Sequence, residues 1–167
     1  MKLFNLLFAF ILLLAITAYS QKAAPIRIAV LPFQNMDGLI ERNIWSYQLQ
    51  DTIYDMLLAE DPNKESYYLV PIDSIEILLA DMNIDPTNPQ YPSDMWKAVD
   101  MLKAEQVVTG NFDFHGGKFL INAYIYDTEM RLPLTRHQAR DIFKDPDSIM
   151  EAAPLIIKRL LPGLKKK

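Results

Sequence analysis

Residues 25–33 read Pro-Ile-Arg-Ile-Ala-Val-Leu-Pro-Phe, a short and almost unbroken apolar run, rich in β-branched side chains and stopped by Pro32. A strand with one wet face alternates apolar and polar residues; a run without alternation belongs to a strand covered on both faces. The segment therefore predicts a central strand, and with it a sheet that other elements must cover.

The segments that follow supply the cover. Asn35, Asp37 and Gly38 bring turn chemistry, and a helix is predicted from about Glu41 to Glu60. Its apolar face is read as Ile40, Ile44, Leu49, Ile53, Met56 and Leu57, with Trp45 beside them; Gln48, Gln50, Asp51 and Asp55 take the other side. Tyr67 to Pro71 reads as a second strand. Asp73 or Ser74 then caps a short helix with the stripe Ile75, Leu78, Leu79 and Met82. Pro86, Pro89 and Pro92 argue for an ordered, extended surface excursion over residues 83–92. Ser93 is expected to cap a helix to about Glu105, buried through Met95, Val99 and Leu102 with Trp96 adjacent.

From Gln106 the period changes to two. Val107 to Asp127 reads as a hairpin turned at Gly116-Gly117, where positive φ angles are needed. That turn places Asn111, Asp113, His115, Lys118, Asn122, Tyr124 and Tyr126 on one face with Leu120. It puts Phe112, Phe114, Phe119, Ile121, Ala123 and Ile125 on the other, which is the core face. A third antiparallel strand runs from Leu132 to about Ile142, its poor alternation suggesting a bulge. Asp145-Pro146 opens a last helix with the stripe Ile149, Met150, Ala153, Ile157 and Leu160, kinked by Pro154 and stopped by Pro162-Gly163. The fold class expected is α/β: a mixed sheet of about five strands, with a parallel crossover and an antiparallel hairpin, covered by helices.

The amino terminus has the parts of a secretory signal. Lys2 precedes an apolar stretch from Leu3 to Ala18 broken only by Asn5 and Thr17, and Ala18 and Ser20 sit two apart as a signal peptidase requires. Residues 1–20 are thus expected to be a cleavable signal peptide and residues 21–167 a single domain, periplasmic or secreted. A retained anchor is the alternative, but spanning a bilayer takes about 20 apolar residues and this run is shorter. With no cysteine in the chain, no lipid anchor on a thiol, disulfide or thiolate metal site is expected. Cleavage removes one lysine and no acid from a net charge of −4, leaving −5. Nucleic-acid binding is not expected of such a chain, and the basic tail of Lys158, Arg159 and Lys165 to Lys167 reads as a solvated helix end.

The residues offer little catalytic chemistry. The glycines form no phosphate loop, and no Gly-x-Ser-x-Gly elbow exists. His115 and His137 lack metal-ligand spacing, and Asp37, Asp73, Asp94 and Asp145 have structural explanations at caps and turns. No catalytic residue, cofactor or metal is expected.

Three segments in order carry a family likeness: Arg27-Ile-Ala-Val-Leu-Pro-Phe33 with the polar turn Asn35 to Gly38, the long amphipathic helix, and Ala104-Glu-Gln-Val-Val-Thr-Gly110 before a hairpin. Over roughly Ile26 to Asp127 the chain resembles the TolB amino-terminal-like group of bacterial envelope proteins, which takes in the flagellar outer-membrane protein FlgO and the periplasmic domains of CsgG and LpoB. The resemblance implies a non-catalytic interaction or assembly module whose partner is another envelope protein, with a homo-oligomer left open. The candidate surface is the tyrosine-bearing hairpin face (Asn122, Tyr124, Tyr126) with the proline-rich loop (Pro89, Tyr91), because tyrosine offers contact area with a polar tip. The alternative is a periplasmic binder of a small ligand or peptidoglycan fragment, in a pocket lined by Trp45, Trp96 or the tyrosines.

Overall fold

The apolar run becomes β1 (Ile26–Val30), which lies between β3 (Tyr67–Leu69) and β4 (Gln106–His115), parallel to both. This computed structural model describes residues 24–164, so the signal segment with Ala18 and Ser20 lies outside the described residues. β2 (Gln34–Asn35) continues the pairing along β4; β5 (Lys118–Asp127) and β6 (Leu132–Lys144) add antiparallel strands in the order β3-β1-β4-β5-β6.

Side chains of β1 and of the residues just after it go to two cores. Ile28, Val30 and Phe33 join one core with α1 (Asn43–Glu60) and α4 (Ala152–Leu164). Ala29 and Leu31 join another with α2 (Ile72–Asp81) and α3 (Tyr91–Leu102). The mixed sheet is therefore the middle of three layers, as an all-apolar central strand demands.

The hairpin has the expected register. His115 pairs with Lys118 across Gly116 (φ 60°) and Gly117 (φ 83°), and Asn111 faces Asn122. The bulge suspected in the third hairpin strand is present: β6 slips register between Ile121 and Ala123 and between Tyr124 and Tyr126, with Asp141 at φ 58°.

Several local expectations are corrected. A 3₁₀ turn (Ile40–Arg42) precedes α1, and Ile40 and Ile44 are exposed while Gln50 is fully buried. The stripe turned inward is Ser46, Leu49, Gln50, Ile53 and Leu57. Ile44 lies five residues before Leu49, roughly 140° around the helix, so the two cannot share a face. Burial of Gln50 is made tolerable by the Val30 carbonyl, to which its Nε2 donates at 2.8 Å.

Neither Asp73, Ser74 nor Ser93 caps a helix. α2 starts directly after Pro71 and α3 after Gln90, with Pro92 in its first turn, where a missing N–H costs nothing. Residues 83–92 form successive turns, not an extended strap; Pro86 is buried and its carbonyl accepts from the Asn35 N–H at 3.0 Å. Pro154 falls in the first turn of α4 and does not kink it, the irregularity being earlier, at Ser148 (φ −126°); α4 continues through Pro162 to Leu164.

Candidate binding cleft

Beyond the carboxyl end of β1 the chain turns at Pro32 and pairs again with β4 as β2. The start of α3 stands over this point, and between them opens a cleft of about 200 Å³. In sheets of this kind the carboxyl ends of parallel strands, where connections leave in different directions, are where crevices form.

Its floor is held by one carbonyl. The buried Tyr91 hydroxyl donates to Pro32 O at 2.6 Å, and Thr109 Oγ1 donates to the same oxygen at 3.0 Å. Burial pushes the Tyr91 phenol up, so it remains a donor. Gln34, Asn111, Tyr124 and Tyr126 line the walls, with Pro92 and Met95 on the α3 side. Tyr124 and Tyr126 lie two residues apart on the polar hairpin face, with ring centroids 6.0 Å apart and planes tilted by 57°. Trp96 meets Tyr126 edge to face at 5.7 Å, and the Arg131 guanidinium lies 5.6 Å from the Trp96 ring.

The Asn111–Asn122 pair is oriented from outside the cleft. The Asp141 N–H, at the β6 bulge, donates to Asn122 Oδ1 at 3.0 Å, and Asn122 Nδ2 donates to Asn111 Oδ1 at 3.0 Å. With its oxygen engaged, Asn111 keeps its NH₂ group for the cleft.

A second hollow of about 250 Å³ shares Gln34 and continues past Asn35, Met36, Gly38, Thr87 and Pro89. Asn35 fastens this end. Its Nδ2 donates to Leu39 O at 2.8 Å and Asn43 Oδ1 at 3.1 Å, and Asn43 Nδ2 donates to Asp85 Oδ1 at 3.0 Å.

The sequence-derived surface is thus divided. Tyr124 and Tyr126 share the cleft, Asn122 supports it from behind, Pro89 lines the neighbouring hollow, and Tyr91, 2% exposed, belongs to the cleft floor. Trp96 backs Tyr126, whereas Trp45 packs on Phe119 at 4.7 Å in the other core. Gln34, Thr109 and Asn111 also line the cleft, and in the sequence only the polar interruption of an apolar strand at Thr109-Gly110-Asn111 points there. Among the described residues no group of three or more His, Asp and Glu could hold a metal ion, and no helix is long and apolar enough to cross a membrane.

No family model matches the chain, and no curated protein matches it in sequence. Solved structures do. LpoB of Escherichia coli, determined by NMR, matches over 72% of this chain and 57% of its own length, with 10% identity and a TM-score of 0.52. Lipoprotein GNA1162 from Neisseria meningitidis matches over 74% of this chain and 84% of its own, with 16% identity and a TM-score of 0.50. At such identities the likeness is one of architecture, and the resemblance read from the sequence is met at that level: the described residues have an LpoB-like fold.

Proposed function

We propose that this chain is a non-catalytic interaction module of the bacterial envelope, exported by removal of residues 1–20, with residues 21–167 as one domain that docks another envelope protein. The observation that carries this reading is an exposed apolar ridge between β2 and α1. Met36 (58% exposed), Leu39 (43%), Ile40 (73%) and Ile44 (53%) lie within nine residues, and Met36 lines the hollow that contains Pro89. Single apolar residues on a surface need no explanation, but four exposed from one nine-residue segment do, and a protein partner is the usual occupant. The ridge is rigid, because Asn35 and Asn43 hydrogen-bond its backbone and the 83–92 turns together. Little ordering entropy would be lost on docking.

Photo-crosslinking tests the reading. A benzophenone side chain at position 40, in the full-length chain exported by its bacterial host, should give a discrete protein adduct, and the same group at Leu155 on α4 should give none. No adduct at position 40, or the same adducts from both positions, would remove the basis for a partner on the ridge.

A further inference from the structure

We propose that the cleft between β2, the β4–β5 face and the start of α3 binds a neutral oligosaccharide, which continues into the hollow beyond Gln34. This goes beyond the partner reading and does not depend on it: no ridge residue lines the cleft, and only Met36 lines the adjoining hollow.

Charge is the first argument. None of the residues lining the cleft or the adjoining hollow is acidic, basic or a histidine, in a chain with 23% charged residues. A carboxylate, phosphate or ammonium ligand would have to shed its hydration there with no opposite charge to meet it. The ligand the cleft favours is uncharged.

It is also polar. The Gln34 amide, the Asn111 NH₂ and the hydroxyls of Tyr124 and Tyr126 make no hydrogen bond within the protein among the described residues. An apolar ligand would cover these groups without pairing them, which is costly. A ligand carrying a hydroxyl on nearly every carbon pairs them, because a carboxamide offers a donor and an acceptor side by side. The locked Asp141–Asn122–Asn111 relay aims one such donor in advance, which reduces the ordering cost of binding.

The tyrosine pair supplies the remaining feature. A pyranose ring has a flat C–H face beside its hydroxyl rim, and an aromatic face covers the former while its phenol reaches the latter. Tyr126 is held against Trp96 and Tyr124 against Tyr126, so two adjacent rings are presented at a fixed tilt. Neither hollow alone, at about 200 and 250 Å³, reaches the roughly 300 Å³ at which ligand pockets begin, so a chain of sugar units running through both fits better than one compact ligand.

Calorimetric titration of the chain with cellotetraose, maltotetraose and chitotetraose, against the cationic glucosamine tetramer and anionic tetragalacturonate, tests this. At least one neutral tetramer should bind saturably, and at least about tenfold more tightly than either charged one. Tyr124→Ala and Gln34→Ala should each weaken that binding by about tenfold at an unchanged unfolding midpoint, and Ile40→Ser should leave it intact. The proposal is overturned if no neutral tetramer binds by about 10 mM, if a charged tetramer binds as well, or if neither cleft variant changes the affinity.

Discussion

The Phe33 ring occupies the space that a side chain at position 110 would need: a Cβ on Gly110 would lie 2.5 Å from Phe33 Cε1 and 2.8 Å from Cδ1, and would run into the Asn122 carbonyl. The two motif ends are thus one packing unit, in which glycine on β4 lets the aromatic ring that ends the β1 segment lie flat on the sheet. Gly110→Ala should lower stability by about 1–3 kcal/mol or more. Adding Phe33→Leu should recover only part of that loss, because the carbonyl does not move. Phe33→Ala alone should cost about 3–5 kcal/mol, a large share of a typical total of roughly 5–15 kcal/mol. Denaturant midpoints at unchanged slope measure all three; full recovery in the double variant would show the ring to be the whole obstacle.

Two carboxylates beside the hairpin turn titrate in opposite directions. Burial alone would raise the Asp37 carboxyl, but the Arg42 guanidinium at 2.8 Å and the Phe114 N–H at 2.9 Å outweigh it and hold it below the ordinary carboxylate range. Asp113 is raised, first because it shares a hydrogen bond with Asp37, then by burial and by the Asp37 charge, with His115 acting weakly the other way. A depressed pKa contributes stability that is present above the unfolded value, about 3.9, and is lost as pH falls through the folded one; a raised pKa has the reverse sign. Asp37→Asn should therefore destabilise at pH 7 and flatten the acid decline. Asp113→Asn should stabilise at pH 7 with little effect below about pH 3. Unfolding midpoints across pH 2–7 read both, and a destabilised Asp113→Asn at neutral pH would contradict the assignment.

What was legible in the sequence followed backbone periodicity. The missing alternation in β1 and the clean alternation from Asn111 through β5 placed both cores, because a side chain in a strand can point only two ways. Helix faces were harder. On α1 the residues turned inward include Ser46 and Gln50, and Ile44 points out, so polarity misreported the stripe. Gln50 is buried because a distant backbone carbonyl needs a donor, and no local pattern reports a partner twenty residues away. The cleft was half legible. Tyr124 and Tyr126 follow from hairpin register, whereas Gln34 and Asn111 join them only because β2 resumes pairing with β4 after Pro32.

The same inversion on α1 makes a prediction that hydrophobicity alone would reverse. Ile44→Ser on the exposed ridge should change stability by no more than about 0.5 kcal/mol. Gln50→Ala, formally a polar-to-apolar change in the core, should cost about 1–3 kcal/mol, since the buried Val30 carbonyl loses its side-chain donor and a cavity is left. Thermal or urea unfolding of the two variants tests the contrast; equal losses would mean that the ridge is buried or the Gln50 bond dispensable.

The Pro32 carbonyl accepts from two buried hydroxyls, Tyr91 at 2.6 Å and Thr109 at 3.0 Å, so each insures the other. Tyr91→Phe removes one donor, keeps the ring in the α2–α3 core and leaves the oxygen paired; the loss should be about 1 kcal/mol, with Thr109→Val similar. In the double variant the oxygen is buried with no donor, at a penalty of about 1–3 kcal/mol that neither single change incurs. The double loss should thus exceed the sum of the singles by about 1 kcal/mol, a coupling that a double-mutant cycle on denaturant midpoints resolves. Strict additivity would show that water reaches Pro32 O, and the cleft floor would then be open instead of sealed by Tyr91.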